Sequence, residues 1–159
     1  MLSNLSIERL NTTHPELVRR IMNLNAALES ENIAIEIDTA LRTAEDQDKL
    51  YAKGRTIPGK IVTHAQGYQS NHTIGCAVDV APDDSVTHRA DWDASHPSWQ
   101  RIVALAPTYG LRDGKSWHDL PHLELQEIPT EPTPEIQELC RTQGVQAVWD
   151  KLAIPVLGE

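Results

Sequence analysis

SNHTIGCAVDV, Ser70 to Val80, decides the fold, because it holds a strand whose two faces differ in chemistry. Side chains alternate along a strand, so Gly75, Ala77 and Asp79 point one way and Cys76 and Val78 the other. The second face is apolar and belongs to a core. The first carries a carboxylate beside residues with almost no side chain, which leaves room for a metal, a histidine ring or a substrate. A carboxylate there is costly to bury unless it is paired or coordinating. His72 is a candidate partner, but from this stretch alone a surface aspartate near a solvated histidine fits equally well.

Upstream, Thr13 and Glu16 fit a capping box with Pro15 in the first turn, and Leu17, Ile21, Leu24 and Leu28 predict an amphipathic helix over 14–29. NIAIEID alternates, placing Ile33, Ile35 and Ile37 on one side of a half-buried strand. Thr43 caps a second helix that stops near Gly54, and 56–70 forms a long loop of the kind that is often functional.

Downstream, a polar loop leads to Ser95, the expected cap of a helix carrying Trp99, Ile102, Val103 and Ala106 and ending at Gly110. HLELQEI predicts another strand. PTEPTP, with three prolines in six residues, is the one linker-like stretch. From Pro134 on, Ile136, Leu139, Cys140, Val145, Val148, Trp149 and Leu152 fit one or two short helices broken at Gly144. Helices and strands mixed without a βαβ rhythm give an α+β fold, one domain with a mainly antiparallel sheet flanked by helices. The expected division is 1–129 for that domain and 130–159 for a linker and packed helical extension.

The second informative stretch is SWHDLPHLEL, 116–125. Asp119 and His122 lie three apart with Pro121 restricting the backbone between them. His122 and Glu124 share one strand face, while Leu123 and Leu125 face the core. Two histidines and an aspartate are the ligand inventory of a catalytic zinc site, which keeps a fourth position for water. Asp119 is then a spare carboxylate where a general base is needed.

These residues resemble a known family. SNHTIGCAVD is similar to the S-x-H-x-x-G-x-A-x-D motif of the M15 zinc peptidases, and WHDLPHLEL to their second motif. LRTAEDQDKLYAKGRT resembles the branch of L-alanyl-D-glutamate endopeptidases used as phage endolysins. The matching segments span about residues 33 to 125. The resemblance implies a hedgehog/DD-peptidase-like fold in which His72, Asp79 and His122 bind Zn2+. It also implies Asp119 as the catalytic carboxylate, Arg42 as the group that steadies the oxyanion, and Ser70 beside the site. Ala40 stands where the family often has glycine, and Leu123 where it often has an aromatic residue; neither change removes a reacting group.

Gln47 and Arg55 are candidates for binding substrate carboxylates, and otherwise an ordinary polar helix face. Glu124 either orients a zinc histidine or is a surface carboxylate, and Trp117 either walls the cleft or joins the core. Strand alternation turns Cys76 away from Asp79. His64 and His118 are read as loop histidines, and His14, His88 and His96 as structural.

The implied activity is hydrolysis of the L-Ala–D-Glu bond of the peptidoglycan stem peptide. The alternatives are a D-Ala-D-Ala carboxypeptidase and a non-catalytic zinc-binding module of the same fold. A formal charge of −9 argues against nucleic acid as a partner, and no apolar run approaches the roughly 20 residues of a membrane span. MLSNLSIERLNTTHPELVRR lacks the pattern of a Sec signal. A monomer made in the cytoplasm and released to the cell wall through a holin is expected.

Overall fold

The computed structural model describes residues 1–84 and 89–157; His88 and the side chain of Trp117 lie outside the described residues. Six α-helices and a four-stranded sheet form among them: α1 Asn4–Leu10, α2 Pro15–Ser30, β1 Ile35–Thr39, α3 Ala44–Ala52, β2 Ala77–Pro82, α4 Ser98–Leu105, β3 Leu111–Gly114, β4 Asp119–Leu125, α5 Pro134–Gln143 and α6 Val145–Leu152. The sheet order is β1-β2-β4-β3 and every neighbouring pair is antiparallel. The α+β class and single antiparallel sheet agree with the sequence.

The core follows the periodicities. Leu17, Ile21, Leu24 and Leu28 of α2 are fully buried, as are Val78 and Val80 of β2 and Leu123 and Leu125 of β4. Cys76 is buried with them, on the face away from Asp79. In β1 only Ile35 and Ile37 are buried within the strand; Ile33 lies just before it.

Several ends differ from expectation. The cap of α2 is His14, whose Nδ1 accepts from the Glu16 amide at 3.0 Å, because the Thr13 hydroxyl donates back to the Leu10 carbonyl. Ser95 does not cap α4: its amide and hydroxyl donate to Asp93, and His96 Nδ1 accepts from the Ser98 amide. β4 starts at Asp119 rather than His122 and stops at Leu125, because its partner β3 spans only Leu111–Gly114 and pairs with those two ends. Neither α1 nor β3 was anticipated. α1 is capped by Ser3, and the hydroxyls of Ser3 and Ser6 both donate to Glu36 at the start of the sheet.

The tail packs on the turn that precedes β2. Ile136, Cys140 and Val148 join the same core cluster, and Trp149 Nε1 donates to the Ile74 carbonyl at 2.8 Å. This changes the reason for Gly75. It lies in the turn at φ +67°, and a Cβ there would sit 2.9 Å from the Trp149 ring, so its smallness serves the tail rather than the space beside Asp79. Arg20, fully buried, donates to the Gly110 and Pro155 carbonyls and to Glu127, tying the last described residues to α2.

Candidate metal centre and active-site cleft

Asp79 on β2 and His122 on β4 are direct cross-strand partners, so their side chains share a face. His72 reaches them from the turn before β2. That turn is held by its own carbonyl, which accepts from the Arg42 and Gly75 amides. His72 Nε2 lies 3.3 Å and His122 Nδ1 3.7 Å from Asp79 Oδ1, and one donor atom from each residue falls within 4.8 Å of the others.

Each ring is fixed through its other nitrogen. His72 Nδ1 lies 3.0 Å from the Ala40 carbonyl, which can only accept, so that nitrogen carries the hydrogen. Nε2 is left to face the carboxylate oxygen of Asp79 at 3.3 Å, a contact that requires a proton or a metal ion between the two atoms. His122 Nε2 lies 3.0 Å from Glu124 Oε2. Glu124 is only 1 % exposed and also accepts from Asn71 and Arg112, both at 2.7 Å. Of the two roles open to Glu124 in the sequence, the structure selects the one behind His122, a carboxylate–histidine arrangement typical of metal ligands. The donor set fits a divalent cation such as zinc, with three protein ligands and an open position.

The electrostatics agree. Burial alone would raise the Asp79 carboxyl, but His72 and His122 beside it outweigh burial and hold it far below the usual carboxylate range. Burial disfavours a charged His122 ring, yet Asp79 and Glu124 outweigh it and raise that pKa to about 9. Burial, and then the negative charge of Asp79, push the Asp119 carboxyl up.

Asp119 Oδ2 stands 4.0 Å from His122 Nδ1 with its side chain 51 % exposed, on the wall of a cleft of about 550 Å³. Ser70, His64 and His118 line the same cleft. His118, just before Asp119, has φ +64°, a left-handed conformation uncommon for a residue with a side chain. Arg42 places Nη2 3.7 Å from Asp79 Oδ2 and donates from Nη1 to Gln47 Oε1 at 2.8 Å.

Two substrate-binding expectations change here. Gln47 is 1 % exposed, with its amide used on Arg42 and the Ala65 carbonyl, so it braces Arg42 instead of meeting a ligand. Arg55 donates to the Tyr51 and Thr63 carbonyls and lies 3.8 Å over the Tyr51 ring, which anchors the loop leading to the cleft.

Residues 10–114 match the family model described as VanY, D-alanyl-D-alanine carboxypeptidase. The chain belongs to the VanY family of M15 peptidases. It is 35% identical over 121 residues to the peptidoglycan L-alanyl-D-glutamate endopeptidase CwlK of Bacillus subtilis (strain 168), covering 70% of this chain and 72% of CwlK. Among solved structures, the Serratia marcescens L-Ala D-Glu endopeptidase ChiX aligns with a TM-score of 0.58 and 23% identity, over 79% of this chain and 90% of ChiX. A variant of the vancomycin-resistance D,D-pentapeptidase VanY from a VanB-type cassette, in complex with Zn(II), aligns with a TM-score of 0.52 and 15% identity, over 86% and 80% of the two chains. These structures share the VanY-family fold.

Sequence reasoning missed three supports of the VanY-family site. Asn71 and Arg112 hold Glu124 from either side. Gly114 lies opposite Asp119, where a Cβ would come 2.2 Å from the Asp119 carbonyl and 2.9 Å from His122 Cβ. The signal for Asn71 was its place between Ser70 and His72; Arg112 and Gly114 sit in the short β3, which carried no pattern.

Proposed function

We propose that this protein is a zinc-dependent peptidoglycan hydrolase that cuts the L-Ala–D-Glu bond of the stem peptide, in an endolysin-like role at the cell wall. The observation that carries this reading is the convergence of one ligand atom each from His72, Asp79 and His122 within 4.8 Å, next to the half-exposed Asp119. The choice of bond is supported by the identity to CwlK.

When held by His72, Asp79 and His122, zinc supplies a Lewis acid that brings the pKa of water toward ~7 and polarises the scissile carbonyl. Asp119 accepts the proton of the attacking water at its carboxylate and returns it to the leaving amine. Arg42, braced by Gln47, presents a planar and permanently charged head to the oxygen that becomes anionic. Glu124 holds His122 in its ligating orientation, and Ser70 stands on the cleft wall where the peptide lies. Catalysis is assigned to residues 1–129, with 130–159 bracing them. All of these groups come from one chain, so a monomer suffices.

The family model's description favours one second reading, removal of a terminal D-Ala. Chelator treatment followed by zinc addition tests the metal: activity is expected to vanish and return, and activity that persists in metal-free protein refutes zinc dependence. Release of D-Ala with the L-Ala bond intact would select the second reading.

A further inference from the structure

The cleft beside Asp119 and His122 is lined by two carboxylates and by no lysine or arginine among the described residues. Asp119 is committed to proton transfer. The other carboxylate is Glu131, in the proline-rich segment that joins β4 to α5. It is exposed, and no cation of the described residues pairs with it. A carboxylate on the wall of a cleft that receives a carboxylate-bearing peptide repels its substrate unless it meets a positive charge there.

Glu131 is also well positioned. The backbone just before it is pinned by Asn71 Nδ2, donating to the Pro129 carbonyl at 2.9 Å, and by Arg112 Nη2, donating to the Ile128 carbonyl at 2.7 Å. These are the two side chains that hold Glu124 behind His122, so the metal centre and Glu131 share one brace. Pro129 and the buried Pro132 stiffen the segment on both sides. Such a brace gives a carboxylate a fixed place against the substrate, at lower ordering cost than a free loop would require.

We infer that Glu131 is a specificity-determining residue that pairs with an ammonium group of the substrate, the free side-chain amine of a diamino acid in the stem peptide. This rests on the reading of the cleft as a stem-peptide site, but not on which bond is cut. The complementary rim fits the same substrate. The loop leading into the 62–65 wall carries Lys53 and Lys60, neither of them paired with a carboxylate among the described residues, and suits the peptide's own carboxylates.

The test compares two synthetic pentapeptides, L-Ala–γ-D-Glu–L-Lys–D-Ala–D-Ala and the same peptide acetylated on the lysine amine. The wild-type zinc enzyme is expected to favour the free amine by roughly fivefold in kcat/KM, through KM, with the preference fading at high salt. In E131Q the ratio is expected to fall to about one. A wild-type ratio of one, or a preference that E131Q retains, overturns the inference. The same ratio read as Kd by calorimetry on zinc-loaded D119N decides the matter without turnover. The identity of the released fragment reports separately on which bond is cut.

Discussion

Asp119 and Glu124 are both carboxylates near His122, and their surroundings give them different work. Asp119 is half-exposed on the cleft wall, and its partial burial and the charge of Asp79 raise its pKa, in line with the proposed role of taking and returning a proton. Glu124 is enclosed: burial opposes its charge, but His122, Asn71 and Arg112 outweigh that and keep it ionised below the usual range. Asp119→Asn is therefore expected to cut turnover by about 10²–10⁴-fold while zinc content, measured by metal analysis, is unchanged. Glu124→Gln is expected to weaken zinc binding by about 10–100-fold in a chelator competition. His122 adds a pH dependence. Its folded pKa of about 9 lies above the ordinary 6.5, so in metal-free protein its charge contributes stability that is complete below 6.5 and is lost as pH rises through 9. Zinc must displace that proton, so its affinity is expected to tighten by about tenfold per pH unit over the same window. A zinc affinity independent of pH from 6.5 to 9 would contradict a protonated His122 between Asp79 and Glu124.

Among the elements, those with strong periodicity or a cap could be read from the sequence and the short ones could not. α2 announced itself through four leucine and isoleucine residues at helical spacing, and β2 through its alternation around Asp79. β3 has four residues and owes its conformation to pairing with β4, so local sequence carried no sign of it. The candidate ligands and Asp119 could be picked out because their spacing and motifs are local. Their supports, Arg112, Gly114 and the Ala40 carbonyl, come from segments that only folding brings near. Gly75 was correctly noticed but misexplained, since its neighbour Trp149 lies 74 residues further along. Gly114 supplies the prediction at this scale. An added Cβ meets backbone of β4 rather than a yielding side-chain tip, so Gly114→Ala is expected to displace Asp119 and His122. Zinc affinity and activity should both fall, with a loss of about 1–3 kcal/mol in urea unfolding. Unchanged zinc affinity in a folded G114A protein would show that β4 tolerates the shift.

In the whole molecule, one sheet face assembles the candidate metal centre from β2, β4 and the preceding turn, and the C-terminal helices buttress that turn through Trp149 and Cys140. The net charge of −9 is unevenly spread: residues 49–78 contain four lysines and arginines and no carboxylate. The acidic protein thus carries one locally basic segment, just before β2. No helix among the described residues is long and apolar enough to cross a membrane. The identity to CwlK supports the proposed L-Ala–D-Glu bond, and mass spectrometry of muropeptides from purified peptidoglycan, digested with zinc or with chelator, reads that bond directly. The zinc digest is expected to yield fragments newly beginning at D-Glu, with L-Ala left on the glycan, and the chelated digest none. Loss of terminal D-Ala alone, with the L-Ala–D-Glu bond intact, would contradict the assignment.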